Sequence, residues 1–282
     1  MAIGKGNATS MKKYWVLFLL LLLSLIGYGC HSSKKSYRIG IDSHYEPLSW
    51  FGKSSLFYAF IHDILQEISY KERVFFKIYH AYRKHLTPGL ATKRYDGILS
   101  LFCPKTFYLK TYDHSDLFLQ TGPTLLINKR RPPMDQGEKG LIGISALFPA
   151  DRLFFLQKYP QVTFQEYSQI SSMFEDLAQD RINGILIDYL PALFFIRDRY
   201  MDQIAIATIL KPEEGIAMLT LKKSHHQSEL IDIINRGLKE MRSSGKYQQL
   251  LKKWQLTPPL LTNLDEETPL LNSENDQNLP SS

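Results

Sequence analysis

The sequence predicts an α/β protein built from two similar lobes. Short apolar strands alternate with helical patterns along most of the chain, which is typical of α/β layers with largely parallel sheets. A ten-residue segment is also repeated, because six of the ten residues of 90–99 recur in 177–186. The 282 residues, 44% of them apolar and 22% charged, are enough for two modest cores.

The spacing of apolar residues predicts the individual elements. Residues 57–68 are apolar at i, i+3 and i+4 intervals, as in a helix with one face on a core. Ser172 and Glu175 have the spacing of a capping box, which predicts the start of another helix. A long helix follows the last strand, and Gly245 separates it from a short helix over 246–254. Strands are predicted at 37–42, 73–79, 97–100, 123–128, 141–145, 162–167, 184–188 and 215–221.

The repeated segment indicates how the two lobes correspond. In each copy a helix ends near a basic residue, Asp or Asn followed by Gly makes a turn, and Ile-Leu begins a strand. Short matches also arise by chance, but the shared predicted structure favours one helix–turn–strand unit used twice, in two similar lobes. Parallel sheets bind ligands beyond the carboxyl ends of their strands. Asp42, Tyr45, Ser100 and Asp188 follow or end predicted strands, so we expect them to line a shared crevice.

The first thirty residues have the order of an export signal. Met11-Lys12-Lys13 is a basic start, and the apolar run over 14–26 is shorter than the roughly 20 residues that span a bilayer. Small residues and Cys30 follow, and the chain then becomes polar at once. We therefore expect 1–30 to be a signal peptide, with Met11 as a candidate initiator.

The segment that ends at Cys30 resembles the lipobox of bacterial lipoproteins, in which the cysteine becomes the lipidated first residue. Gly27 stands where Leu is usual, so ordinary cleavage and an uncleaved anchor with an incidental Cys are alternatives. We predict lipidation of Cys30, and hence an exported, membrane-anchored protein on the periplasmic side or at the cell surface. Cys103 then has no second thiol, and we expect neither a metal site nor a cofactor.

The charge is unevenly distributed along the chain. The net charge is +6, but the segment 257–282 carries five acidic residues and no Lys or Arg, which leaves +11 for the remainder. Its polar composition without aromatic residues predicts a disordered acidic tail. The sequence contains no arginine-rich helix, RNP-like motif or zinc-ligand spacing, so we do not expect nucleic-acid binding. The basic body is interpreted as a solvated surface that faces lipid head groups.

Short segments in a characteristic order point to a known family. They are Gly40-Ile41-Asp42, Tyr45-Glu46-Pro47, Leu86 to Leu90, Tyr95 to Ile98, Ser115-Asp116, Ile142-Gly143-Ile144, Leu238 to Arg242, Gly245-Lys246-Tyr247 and Lys253-Trp254. In this order they resemble the polar amino-acid class of periplasmic solute-binding proteins that serve ABC importers (bacterial extracellular solute-binding protein family 3). The resemblance covers residues 37–256.

This resemblance implies a two-lobed, periplasmic-binding-protein-like fold with a ligand cleft between the lobes. Lobe one would comprise 36–120 and 214–256, and lobe two would comprise 121–213. Two crossovers, near 120–123 and 210–214, would form the hinge. A ligand in the cleft favours the closed state because it contacts both lobes.

The resemblance also implies roles for the candidate site residues. Asp42 and Asp188 match acids that neutralise a ligand ammonium, Tyr45 matches an aromatic that packs on the ligand, and Ser100 matches a hydrogen-bonding residue. Carboxylates accept charge-assisted hydrogen bonds, and an aromatic ring adds apolar area and cation–π attraction. The alternatives are a helix cap for either Asp and a core packing role for Tyr45.

The part of the family's site that binds a carboxylate is altered in this sequence. Tyr108 stands where a clamping arginine is expected, and Leu-Phe-Pro at 147–149 replaces a Gly-Thr-Thr stretch. Arg83, with Tyr82 beside it, replaces an aromatic, and we expect both to contact the ligand. Three accounts are open: Arg83 or Lys105 binds a carboxylate from another direction, the ligand is an amine without one, or high-affinity binding has been lost.

We expect a monomeric, non-enzymatic binding component that captures an amino acid or related amine and delivers it to an ABC transporter permease. One alternative is a periplasmic dehydratase-like enzyme acting on prephenate-like acids. That chemistry needs a general acid and a cationic clamp for a dianion, which Asp42 and Asp188 would repel. Another alternative is a non-transport role in surface binding or sensing, which the acidic tail could serve.

Overall fold

Two five-stranded sheets organise the protein. The computed structural model describes residues 35–42, 54–103, 111–146, 152–211, 213–222 and 225–257. The strands are β1 (Ser36–Asp42), β2 (Phe75–Ala81), β3 (Gly97–Cys103), β4 (Tyr112–Gln120), β5 (Pro123–Asn128), β6 (Gly140–Ser145), β7 (Val162–Tyr167), β8 (Gly184–Asp188), β9 (Ile204–Ile209) and β10 (Gly215–Leu221). The helices are α1 (Ser54–Glu72), α2 (Arg83–Ala91), α3 (Arg152–Lys158), α4 (Ile170–Ala178), α5 (Tyr189–Phe195), α6 (His225–Ser243) and α7 (Lys246–Lys253), and a π-helical turn (Ile196–Tyr200) continues α5.

The two sheets have the same topology. The strand order is β2–β1–β3–β10–β4 in the first sheet and β7–β6–β8–β5–β9 in the second. In each sheet the first three strands are parallel, and the fourth runs antiparallel to both of its neighbours. Each sheet is therefore mixed, with one antiparallel strand between strands that all run the other way. We call the first sheet with its helices the first half, and the second sheet with its helices the second half.

Two crossovers join the halves, one between β4 and β5 and the other between β9 and β10. They lie side by side, because the Thr121 N–H donates to the Glu214 carbonyl at 3.0 Å. The approach is close at Gly122, where a Cβ atom would lie 2.4 Å from the carbonyl oxygen of Lys211. A side chain at this position would push the two crossovers apart.

Helices cover both faces of each sheet. In the first half, α1, α6 and α7 pack on one face, whereas α2 buries Leu86 and Leu90 on the other. In the second half, α4 and α5 pack on one face, and α3 buries Phe155 on the other. One buried cluster contains residues of both halves, including Phe60 of α1 and Leu193 of α5. Apolar packing is therefore continuous from one half to the other.

The repeated sequence folds into a repeated turn. Before β3, the Asp96 N–H donates to the Arg38 carbonyl at 2.8 Å, and the Asp96 carboxylate accepts the Arg38 N–H at 2.7 Å. Before β8, the Asn183 N–H donates to the Leu141 carbonyl at 2.8 Å, and the Asn183 side-chain oxygen accepts the Leu141 N–H at 2.9 Å. In each half the turn thus binds the central parallel strand through the same pair of hydrogen bonds.

The helices before these turns also end in the same way. Lys93 and Asp180, which are 87 positions apart, have left-handed backbones with φ of 58° and 59°. Their N–H groups donate to the carbonyl oxygens of Leu90 and Leu177, respectively, each at 3.1 Å. A residue with a Cβ atom pays about 1 kcal/mol for this conformation. The same left-handed non-glycine residue in both halves supports the interpretation of the repeat as one structural unit used twice.

The structure differs from the sequence prediction at several elements. Strands β4 and β9, at the edges of the two sheets, were not predicted. Helix α4 begins at Ile170 after Gln169, which makes no side-chain cap, so the capping box predicted at Ser172 and Glu175 is wrong. Strand β2 begins at Phe75 and not at residue 73, where Arg73 adopts a left-handed backbone with φ of 54°.

No helix in the described ranges is long and apolar enough to cross a membrane. The predicted signal peptide with Cys30, and residues 258–282 of the predicted acidic tail, lie outside the described residues.

Candidate ligand-binding site

The first sheet brings three of the predicted site residues to one edge. Strand β1 ends at Asp42, which is paired in parallel register with Ala81 at the end of β2. Tyr82 follows directly. On the other side of β1, Ile41 pairs with Leu99 of β3, so the main chain of Ser100 lies beside Asp42. Asp42, Tyr82 and the main chain of Ser100 therefore share the carboxyl edge of three adjacent parallel strands.

Tyr82 and Arg83 begin helix α2 at this edge. Tyr82 is the N-cap residue, with an extended backbone, and its carbonyl accepts the His85 N–H at 2.8 Å. The Tyr82 side chain is 56% exposed, and Arg83 is also exposed. The first turn of α2 contains no acidic residue, so the basic side chains of Arg83 and Lys84 reinforce the positive end of the helix dipole. Tyr82 and Arg83 thus form a rim at this edge of the sheet, and its positive charge can attract an anionic group.

The end of β1 is fixed by a residue that the sequence prediction missed. The Tyr58 hydroxyl donates a hydrogen bond to the main-chain carbonyl of Asp42. The Tyr58 ring also meets the His80 ring edge-on, with centroids 5.8 Å apart. Tyr58 lies on α1 beside the core residue Phe57, and nothing in the local sequence pattern distinguishes it. Its role is to position the backbone that carries the half-buried Asp42 side chain.

Asp188 lies at the corresponding edge of the second sheet. It ends β8, pairs with Pro123 of β5, and occupies the N-cap position of α5. Asp188 thus occupies a cap position, as the helix-cap alternative expects, but its side chain makes no capping hydrogen bond to that helix. The next N–H, that of Tyr189, donates to the Gly122 carbonyl at 3.2 Å. The half-buried Asp188 therefore lies beside the first crossover.

Other predicted features lie outside the described residues or rest on undescribed side chains. Tyr45, Lys105, Tyr108 and the segment 147–149 are in the first group. In the second group are Ser100 and Cys103, which belong to β3 by their backbone.

A separate cavity of about 450 Å³ lies in the second half, lined by 168–171, Phe194, Phe195, Asp198 and Arg199. It contains none of the predicted site residues. Within the described ranges, no group of three or more His, Cys, Asp or Glu side chains is placed to hold a metal ion.

Comparison with known proteins identifies the family. The sequence profile of the bacterial extracellular solute-binding proteins, family 3, matches residues 37–257, which include both sheets. The chain belongs to this family. The resemblance inferred from short segments is thereby confirmed. Family 3 is a family of extracellular proteins, in agreement with the prediction of export.

Two curated proteins illustrate the relation of this family 3 chain to others. The arginine-binding extracellular protein of Bacillus subtilis is 23% identical over 259 residues, which cover 86% of this chain and 98% of that protein. The L-cystine-binding protein of Escherichia coli is 23% identical over 224 residues, covering 77% of this chain and 81% of that protein. Both are named as binding proteins, not enzymes.

Solved structures show the same two-lobed fold. A polar amino acid ABC uptake transporter substrate binding protein from Streptococcus thermophilus superposes with a TM-score of 0.61 at 17% identity, covering 78% of this chain and 85% of that one. An ancestral cyclohexadienyl dehydratase superposes with a TM-score of 0.56 at 16% identity, covering 79% and 93%. The predicted fold class is confirmed, and the fold alone is compatible with binding and with catalysis.

Proposed function

We propose that this family 3 protein captures an amino acid or a related small amine between its two halves and delivers it to the permease of an ABC importer. The observation that carries the proposal is an acidic residue at the carboxyl edge of each sheet, Asp42 in one and Asp188 in the other. Ligands of α/β sheets bind beyond this edge. The proposal also rests on the amino acids named for the two curated relatives, arginine and cystine.

The two acids suit a positively charged group. Each carboxylate can accept charge-assisted hydrogen bonds from an ammonium or guanidinium group. A cation that contacts both halves stabilises the closed arrangement, because its binding free energy differs between the open and closed states. Capture would then bring the halves together over the ligand.

The halves correspond to the lobes of this proposal. Lobe one would comprise 36–120 and 214–256, and lobe two would comprise 121–213. Strands β1 to β4 and β10 form the first sheet, whereas β5 to β9 form the second, and this membership supports the division. The lobes would move about the two crossovers.

The opposite end of the ligand would meet the rim formed by Tyr82 and Arg83. A guanidinium group binds a carboxylate through two parallel hydrogen bonds, and an exposed aromatic ring beside it offers apolar area. Both residues begin α2, next to Ala81 and hence next to Asp42 in the β1–β2 register. We therefore favour a ligand with an ammonium or guanidinium group and a carboxylate over a simple amine.

The lipid anchor at Cys30 and the monomeric state remain predictions from the sequence. They fit a binding protein that is held at the outer face of a membrane, close to a permease.

A thermal-shift screen with L-arginine, L-cystine, putrescine and prephenate tests the proposed function. A ligand present at 100 times its Kd stabilises the folded state by about 2.7 kcal/mol, which raises the Tm of a protein of this size by about 5–10 °C. We expect such a shift with an amino acid. No shift with any of the amino acids or amines would contradict the proposal, and turnover of prephenate would establish the enzymatic alternative.

The role of Asp188 is tested on the best cationic ligand of that screen. We expect Asp188→Asn to weaken its binding by more than tenfold, about 1.4 kcal/mol, because the amide loses the charge that attracts the ligand. Asp202→Asn is the matched control, since Asp202 is exposed and precedes the amino end of β9, at the opposite edge of the same sheet. Equal affinities of the two variants, measured by calorimetry, would remove Asp188 from the site.

A further inference from the structure

The chain after α7 turns sharply into the interior. Trp254 caps α7, and Gln255 adopts a left-handed backbone with φ of 57°. The Gln255 N–H donates to the Lys252 carbonyl at 3.1 Å, and the Leu256 N–H donates to the Leu251 carbonyl at 2.7 Å. These two bonds form a Schellman turn, in which apolar residues at its two ends pack together. The turn carries Leu256 into the core, where it is 0% exposed.

This turn is attached to the first half. Asp63 of α1 accepts hydrogen bonds from the Lys253 ammonium at 2.6 Å and from the Trp254 indole at 2.8 Å. Leu250 and Leu251 of α7 are buried in the cluster that also contains α1 and α6. Helix α7 and its cap are thus part of the first half.

The next residues contact the second half. The Tyr189 hydroxyl, at the start of α5, donates to the Leu256 carbonyl at 2.8 Å. The Arg197 guanidinium, on the π-helical turn, donates to the Gln255 carbonyl. We call Trp254–Leu256 the C-terminal clasp, because the Trp254 side chain binds Asp63 of the first half, whereas the Gln255 and Leu256 carbonyl oxygens accept hydrogen bonds from the second.

Tyr189 connects this clasp with the candidate site. It directly follows Asp188, and its N–H donates to the Gly122 carbonyl in the first crossover at 3.2 Å. Its side chain is 3% exposed, and burial raises the pKa of its phenol, so the hydroxyl remains a donor at neutral pH. One residue therefore touches the acid-bearing edge, the crossover and the clasp.

We propose that Tyr189 is a positioning residue that couples Asp188 and the first crossover to the C-terminal clasp, which acts as a hydrogen-bonded connection between the halves in addition to the two crossovers and the shared apolar cluster. Two adjacent crossovers alone allow one half to rotate relative to the other. The hydrogen bond from Tyr189 to the clasp restricts that rotation, together with the shared apolar cluster, and holds the backbone from which Asp188 projects. The link to ligand binding rests on the proposed function, whereas the mechanical link between the halves does not.

Hydrogen–deuterium exchange without ligand tests the mechanical link. Tyr189→Phe removes the hydroxyl bond to Leu256, and Tyr247→Phe is the matched control because the Tyr247 hydroxyl donates to Phe118 at 2.9 Å within the first half. We expect Tyr189→Phe to speed exchange at least threefold both in the clasp and at the crossovers, and Tyr247→Phe to leave the crossovers unchanged. Faster exchange confined to α5 in Tyr189→Phe would overturn the proposal.

Arg197→Gln gives a second, independent perturbation if Tyr189→Phe does not fold. It removes the guanidinium bond to Gln255 and keeps the Tyr189 hydroxyl. We expect the same faster exchange at the clasp and crossovers; unchanged crossovers would contradict the clasp as a connection.

L-arginine serves as the probe for coupling to the site. If wild-type protein binds it, we expect Tyr189→Phe to change its Kd at least threefold and Tyr247→Phe to leave it unaltered. Equal Kd values for Tyr189→Phe and wild type would refute the coupling to Asp188. Failure of wild type to bind L-arginine would bear on the proposed function alone, because the exchange experiment uses no ligand.

Discussion

Asp96→Asn separates charge from hydrogen bonding in the repeated turn. The Asp96 carboxylate accepts the Arg38 N–H at 2.7 Å and two guanidinium hydrogen bonds at 2.8 and 3.1 Å. Burial disfavours ionisation, but these hydrogen bonds outweigh it and lower the pKa of Asp96 below its usual value. Asparagine keeps an acceptor for the Arg38 N–H, as Asn183 does in the second half, but loses the attraction to the guanidinium group.

The magnitude follows from the exposure of the pair. The Asp96 side chain is 12% exposed and that of Arg38 is 44% exposed, so solvent screens the ion pair mainly at the Arg38 guanidinium. Hydrogen bonds to charged groups contribute about 1.5–3 kcal/mol, and exposed ion pairs contribute about 1 kcal/mol or less. We expect Asp96→Asn to lower the free energy of unfolding by about 1–2 kcal/mol. Asp96→Ala should cost about 1–3 kcal/mol more, because the Arg38 N–H also loses its acceptor.

Urea unfolding followed by tryptophan fluorescence measures these differences. Because the folded-state pKa of Asp96 is depressed, its contribution is fully present above the ordinary value of 3.8 and is lost as the pH falls through the folded-state pKa. The difference in unfolding free energy between wild type and Asp96→Asn should therefore be largest near neutral pH and should become smaller in acid. Equal stabilities at neutral pH, or a gap that persists unchanged in strong acid, would refute the reasoning.

Two further predictions concern the candidate site and the crossovers. If Arg83 binds the ligand's carboxylate, wild type should bind L-arginine more tightly than agmatine, its decarboxylated analogue. Arg83→Gln should then lower the affinity for L-arginine and leave the affinity for agmatine unchanged. An equal loss of affinity for both ligands would contradict this role. Gly122→Ala should lower stability by about 1–3 kcal/mol, because its Cβ atom would lie 2.4 Å from the Lys211 carbonyl. Gly137→Ala is the control in thermal unfolding, since a Cβ atom there meets no atom within 4 Å, and equal Tm values of the two variants would contradict close packing of the crossovers.

Most strands were predictable because their apolar residues are local in sequence. The observed bounds of β5, β7, β8 and β10 are those predicted from composition and flanking turns. The edge strands were missed for opposite reasons. Strand β4 contains Asp113, His114 and Asp116, which are unusual in strands. Strand β9 is apolar except for Thr208, a pattern that also suits a buried helix. Both become strands by pairing with residues distant in sequence.

The candidate site was predictable only in part, and for a related reason. Asp42 and Asp188 were located because they end strands, and the topology of α/β sheets gives strand ends a known position. Tyr58 and Tyr189 were not found, since their roles depend on tertiary contacts to Asp42 and Leu256, which are 16 and 67 positions away. No periodicity or motif reports such contacts.

The chain forms β5 to β9 of the second sheet between β4 and β10 of the first, and this connectivity sets an order in which the sheets can be completed. Strand β4 has β10 as its neighbour in the sheet, and β10 is made only after the whole of β5 to β9. The second sheet can thus acquire all its strands while the first still lacks its inner antiparallel strand. Until residues 215–221 arrive, the facing edges of β3 and β4 are uncovered, and bare strand edges promote intermolecular pairing. We therefore expect completion of the first sheet to come late during synthesis, and we expect aggregation to be strongest at that stage.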